Sequence, residues 1–353
     1  MAMESPKNRL VHYDLLRILA AFSVVMLHSA SQYWYTLSPE TGAWKIANSY
    51  DALFRFGVPV FVMISGALFL GKELNVKRLY THHILRLLAV YLVWSVAYGL
   101  FDCRAYEVKY VTWAIIGFEI EGGRYHLWFL PMIVGIYILL PLLHSWIRHA
   151  EKKTLEYLLL IFLVLQIGRE TLTALLQNQM AEFVINILDV PELSMACSYV
   201  GYFVLGYYIT TVGIPKKWHK IIYWSMIPAA VLNVVLSDIS SVRKGTPDGT
   251  IYDSYGVFTF IIVVGLFLFF TEVVSKVKYS GFARKLIGEI SFATFGVYVM
   301  HLMCIELLAE WGIDSMMLPN IIGIPLLAVL VFLLCFMVAA ILRRIPVIGK
   351  YIC

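Results

Sequence analysis

The 353-residue chain is 60% hydrophobic and only 14% charged, with a mean hydropathy of +0.78. A soluble domain carries about a quarter charged residues, so a water-soluble globular fold is excluded and the chain reads as a polytopic membrane protein. Its formal net charge of +5 is no nucleic-acid signal, because the cations gather in the short segments between apolar runs.

Ten spans are predicted, at approximately 12–33, 49–71, 82–101, 126–147, 154–172, 194–213, 219–237, 254–275, 291–311 and 319–342. The first contains "YDLLRILAAFSVVMLHSA" (Tyr13 to Ala30), an apolar helix that nonetheless carries Asp14, Arg17 and His28. Charged groups in the hydrocarbon core cost roughly 2.5–3.5 kcal/mol each on insertion scales, so function or pairing has to hold them there. Asp14 and Arg17 stand one turn apart and can pair. Arg17 and His28 project from nearly the same face, roughly 16 Å apart along the axis. The two early charges also interrupt the apolar run that a cleavable leader would need, so this segment reads as a span.

The second span, "VPVFVMISGALFL", places Ser65 in its middle or inner half. "KELNVKRLYTHHILR" follows, gathering Lys72, Lys77, Arg78, His82, His83 and Arg86. "YVTWAIIGF" (Tyr110 to Phe118) is too short to cross and reads as an interfacial or re-entrant piece. His126 and Trp128 open the fourth span in "RYHLWFLP", at a height similar to His28. The fifth span has the shortest apolar run. In the sixth, the spacing of Gly201 and Gly206 is off the register of a small-residue packing motif by one, and carries no weight. The ninth span, "SFATFGVYVMHLM", places His301 near the midplane, with Glu306 beyond it.

With both termini cytoplasmic, most of the 28 lysines and arginines fall on the inner side, as the positive-inside rule requires. Treating Tyr110–Phe118 as a span would invert every later loop and spoil that bias. Five scattered cysteines (Cys103, Cys197, Cys304, Cys335, Cys353) form no C-x-x-C pair, which argues against a disulfide framework or a metal site. Several polar groups also admit plain readings: His301 as an interhelical hydrogen-bonder, His126 as an interfacial anchor, and the 72–86 cations as topological signals.

An arginine, ten residues and a histidine in the first span (Arg17 to His28) resemble the signature of the membrane-bound acyltransferase-3 family. "YDLLRILAAFSVVMLH", "VPVFVMISGALFL", "YHLWFLPMIVGIYILLPLL", "VGYFVLGYYI" and "FGVYVMHL" together resemble its surface-polysaccharide O-acyltransferase branch. That branch includes enterobacterial common antigen O-acetyltransferases and the membrane half of vancomycin-resistance serine racemases. The resemblance spans roughly residues 9–345. It implies an all-α polytopic bundle in a bacterial cell membrane, forming one integral-membrane acyltransferase domain over residues 1–353. It also implies transfer of an acetyl group from cytoplasmic acetyl-CoA to a hydroxyl of an extracytoplasmic glycan or other cell-envelope acceptor.

The residues accommodate that chemistry. The coenzyme's phosphates need cations at the inner face, which Arg17, Arg78 and Arg86 can supply. A sugar hydroxyl needs a base, and imidazole has a suitable unperturbed pKa of about 6.5. His28 is therefore the expected general base, or an acetylated relay, in a catalytic set with Asp14 and His126. Ser65, Trp128 and His301 join the arginines as expected donor-binding residues. No G-x-S-x-G arrangement is present, so a serine acyl-enzyme is disfavoured. The opening helix is thereby expected to line a conduit from a cytosolic coenzyme entrance to His28. A small-solute transporter or flippase is the alternative, although the chain lacks the internal symmetry common in carriers.

Overall fold

The computed structural model describes residues 10–102, 125–176, 191–345 and 349, the side chains of 191–197 excepted. The expected interfacial piece Tyr110–Phe118 lies outside these residues. Eleven helices follow in order: α1 (Val11–Ala30), α2 (Gly42–Phe54), α3 (Gly57–Phe69), α4 (Val76–Asp102), α5 (Phe129–His149), α6 (Lys152–Leu175), α7 (Pro191–Thr211), α8 (Lys216–Lys244), α9 (Val257–Glu272), α10 (Gly281–Glu310) and α11 (Asn320–Leu342). No strand occurs among the described residues. Nine helical stretches among them are long and apolar enough to cross a membrane, α2 and α3 counting as one. Helix α7 takes the place of the sixth expected span and breaks from helical geometry at Ser198. The chain is a polytopic helix bundle.

The second span begins earlier than its hydropathy predicts. Thr41 caps α2 by accepting from the Trp44 backbone N–H at 3.2 Å. The part of α2 ahead of the predicted span carries Lys45 and Asn48, which lower its hydropathy. The seventh span likewise runs on to Lys244 instead of ending near 237. These two polar extensions satisfy each other: the Asn48 amide donates to Ser237 Oγ (2.8 Å) and to Asp238 Oδ1 (2.7 Å). Buried polar groups persist where such partners exist.

Close backbone approach organises the middle of the bundle. A Cβ on Gly66 would lie 1.7 Å from the Phe203 carbonyl oxygen, and one on Gly206 would lie 2.0 Å from that of Met63. Helices α3 and α7 therefore touch main chain to main chain, the usual device where lipid supplies no hydrophobic drive. The spacing of Gly201 and Gly206 thus does matter, but not as a one-sided motif: Gly201 faces the Phe162 ring of α6 instead. At the start of α3, a Cβ on Gly57 would meet Ser23 Oγ at 2.4 Å and the Ala20 carbonyl at 2.8 Å, which pins α3 against α1.

Candidate active site

A cavity of about 640 Å³ opens at the end of the bundle that carries Lys72, Arg78 and Arg86. Arg17, Ser65, Arg78 and Arg86 all line it, so four of the six expected donor-binding residues meet in one chamber. Their placement follows from local structure. The Asn75 side chain accepts from the Arg78 backbone N–H at 2.9 Å, capping α4 and turning the basic segment back along the chamber. A π-helical turn over Leu79–Ile84 then carries the chain toward Arg86, whose guanidinium carbon lies 5.8 Å from the Phe295 ring centroid. Lys72 and Glu73 complete the rim. Glu73 accepts from Arg148, a pairing that holds this exposed carboxyl below the usual carboxylate range.

Asp14 does not join the histidines. It sits in the same end of α1 as Arg17, about 21 Å along the axis from His28. There it is buried, with 2% of its surface exposed. Its Oδ1 accepts from Arg17 Nη1 (3.3 Å) and from Ser291 Oγ (2.7 Å). Ser291 lines the chamber too, so α10 and α1 are joined through the carboxylate that braces the chamber's arginine.

Deeper in the bundle, three imidazoles meet from three helical elements. His28 (α1) and His301 (α10) stack with ring centroids 5.0 Å apart and planes inclined by 28°. His126 stands edge-on to His301, also at 5.0 Å. His301 Nδ1 donates to the Tyr298 carbonyl at 2.6 Å, which fixes its tautomer and leaves Nε2 as the bare nitrogen. Nε2 is buried with no hydrogen-bond partner among the described residues. His28 Nδ1 lies 3.2 Å from the hydroxyl of Tyr125, a largely exposed side chain at the opposite end from the basic chamber. His126 and His28 are thus both in ring contact with His301. His301 lies in this cluster instead of lining the basic chamber, and is fully buried there.

The chamber does not extend to the His28 end of the conduit expected along α1. Arg17 lines the chamber, whereas His28 does not. Phe61, Phe129 and Tyr298 also line the chamber. Phe129 packs on Phe61 at 6.1 Å and edge-to-face on Tyr298 at 5.6 Å. Tyr298 belongs to both regions: its hydroxyl donates to the His126 carbonyl, and its carbonyl accepts from His301. Phe61, Phe129 and Tyr298 thus form a run of packed aromatic rings, an arrangement favoured in an apolar interior. Trp128 also lies outside the chamber; the residue is 44% exposed and its ring packs against Tyr199 at 5.6 Å.

Sequence reasoning assigned no role to Arg55. It follows α2 at the break before α3 and donates through Nη2 to Asp51 Oδ2 at 2.7 Å. Its guanidinium carbon lies 5.1 Å from the Tyr252 ring centroid. Arg55 Nε is buried without a hydrogen-bond partner among the described residues. The signal was present in "LFRFGVPVF", an arginine inside an otherwise apolar run.

No group of three or more His, Cys, Asp or Glu side chains suited to a metal ion occurs among the described residues. A family model described as an acyltransferase domain matches residues 11–340. No curated protein and no solved structure gives a significant match.

Proposed function

From the premise that this chain belongs to the acyltransferase-3 family and is a multi-pass membrane acyltransferase, we propose that it moves an acetyl group from cytoplasmic acetyl-CoA to a hydroxyl of an extracytoplasmic glycan. The observation that carries this reading is the meeting of Arg17, Arg78 and Arg86 in one chamber whose far wall, Tyr298, hydrogen-bonds into the histidine cluster. The positive-inside bias directs that chamber to the cytosol. Its cations suit the anionic groups of the coenzyme. The pantetheine arm then runs past Ser65 toward the aromatic wall, and the thioester passes that wall when Phe129 and Tyr298 turn aside.

The acceptor arrives from the opposite end, where Tyr125 meets His28. His28 takes the hydroxyl proton as the oxygen attacks the thioester carbonyl. The tetrahedral intermediate collapses, the C–S bond breaks, and the coenzyme thiolate leaves and recovers a proton from the imidazolium. His126 and His301 hold the base in place by ring packing. Asp14 serves at a distance, orienting Arg17, and takes no proton in this scheme.

Purified protein in nanodiscs provides the test. Wild-type protein binds CoA and consumes acetyl-CoA, while His28→Ala remains folded, binds CoA and loses turnover by about 100-fold or more, the scale of general-base catalysis. Full turnover in His28→Ala would remove the general-base assignment. Absence of CoA binding together with uptake of a small solute into proteoliposomes would replace the enzyme by a carrier.

A further inference from the structure

We propose that Tyr98 is a positioning residue for the imidazole cluster: its hydroxyl, set into the hydrogen-bond ladder of α10, fixes the turn that presents His301 to His28. What the cluster does rests on the acyl-transfer reading above; how Tyr98 holds it does not.

Helix α4 delivers this side chain by a narrow buried face. Between Leu85 and Asp102 it buries Val90, Trp94, Tyr98 and Gly99. Val90, Trp94 and Tyr98 recur every four residues and so form one stripe. Trp94 packs on Tyr98 with ring centroids 6.1 Å apart, and Tyr98 keeps only 2% of its surface exposed. The ring is thereby steadied from its own helix while the hydroxyl at its tip reaches α10.

That hydroxyl meets two backbone groups. It donates to the Val299 carbonyl at 2.9 Å and accepts from the Met303 N–H at 3.2 Å. The two groups are four residues apart, and in an undisturbed α-helix they pair directly with each other. A side chain that enters this ladder is a known cause of a local bend. His301 lies in the middle of the bridged turn. Its Nδ1 donates to the Tyr298 carbonyl and its ring stacks on His28. The direction of the ring therefore follows the pitch of the turn that Tyr98 holds.

The same residue reaches the third imidazole. The His126 ring stands edge-on to the Tyr98 ring at 5.2 Å, and His126 Nε2 lies 3.4 Å from the Val299 carbonyl oxygen to which Tyr98 donates. One tyrosine thus touches both the turn bearing His301 and the ring of His126. Packing alone would be served by phenylalanine, which fills the same space. The hydroxyl adds a bridge that both donates and accepts on a single turn, and that turn carries His301. Without it the Met303 N–H returns to the Val299 carbonyl, the turn tightens, and the imidazole at its centre moves. Misplacement near a reacting centre by about 1 Å can cost on the order of 100-fold in rate.

Two measurements on the full chain in nanodiscs test this: thiol release from acetyl-CoA, and NMR of protein carrying 13C in its histidine rings. Tyr98→Phe lowers turnover by about tenfold or more, keeps the Kd for CoA within twofold, and shifts the His301 resonance, which is assigned by its loss in His301→Ala. In the His301→Ala background, itself slowed, Tyr98→Phe changes turnover by less than twofold, because residues acting through one another are non-additive. Tyr50→Phe removes a hydroxyl that donates to the Ile321 carbonyl between α2 and α11, and leaves turnover and the His301 resonance as in wild type. An unmoved His301 resonance or near-wild-type turnover in Tyr98→Phe, full turnover in His301→Ala, or an undiminished effect of Tyr98→Phe in that background overturns the positioning role. Loss of the fold in Tyr98→Phe marks a structural residue and overturns it as well. Absence of thiol release in wild-type protein sinks the acyl-transfer reading instead, and the His301 resonance alone then decides the role of Tyr98.

Discussion

Replacing Arg17 by glutamine probes the proposed coenzyme chamber most directly. The arginine side chain keeps only 20% of its surface exposed, and its Asp14 partner 3%, so the pair is poorly screened by water. A hydrogen bond to a charged group contributes about 1.5–3 kcal/mol net, and about 1.4 kcal/mol corresponds to tenfold in Kd. The lower part of that range applies, because Asp14 already neutralises some of the arginine's charge and Lys72, Arg78 and Arg86 remain in the chamber. CoA affinity should therefore fall by roughly 10- to 30-fold in Arg17→Gln, with a smaller loss in Arg17→Lys. Isothermal titration of CoA into nanodisc-embedded protein measures it, with thermal unfolding as the check on folding. Raising the salt concentration should weaken wild-type binding more than that of the variant. A folded Arg17→Gln protein with Kd within twofold of wild type would refute the assignment of this chamber to the coenzyme.

Three other perturbations follow from the same geometry. Gly206→Ala puts a Cβ 2.0 Å from the Met63 carbonyl oxygen; backbone cannot yield as a side chain does, so the loss of stability should reach the upper part of the ~1–3 kcal/mol range for overpacking, read by thermal unfolding. Phe129→Ala removes one of the rings between chamber and histidines, and should raise acetyl-CoA hydrolysis by water relative to transfer, measured as thiol release without an acceptor. At Asp248, burial raises the carboxyl's pKa, but hydrogen bonds from Lys244, Ser240 and Thr250 outweigh it and hold the group down at about 2. A depressed carboxyl contributes stability above its unfolded value of 3.8 and loses it as pH falls toward 2. Thermal unfolding of wild type should therefore drop across that interval, and Asp248→Asn should flatten the dependence.

Much of the basic chamber was legible from sequence, because its logic is one-dimensional. A cation and an imidazole spaced along one helix, and a run of basic residues at a span's end, survive folding as neighbours of the same face or the same membrane surface. Arg17, Arg78, Arg86 and Ser65 accordingly meet in the chamber. Contacts between distant helices were not legible. The stacking of His301 on His28 depends on how α10 lies against α1. The barrier of Phe61, Phe129 and Tyr298 draws on three helices and hides among ordinary apolar residues. Arg55 was missed because a charge tally treats an arginine at a span's edge as topology. The helix break at 55–56, invisible to hydropathy, is what sets it beside Tyr252.

The glycine seams also divide the labour of the chamber's walls. Helix α3 is clamped on both sides, by α1 at Gly57 and by α7 at Gly66, so Phe61 and Ser65 ride on a strut that cannot slide. Facing it, α4 starts with a π turn and buries only Val90, Trp94, Tyr98 and Gly99 between Leu85 and Asp102. On the acyl-transfer reading, the clamped wall would set how far an acyl tail penetrates, and the wall with the π turn would admit the nucleotide. Chain-length selectivity should accordingly follow substitutions in α3, and the speed of coenzyme exchange should follow those in α4.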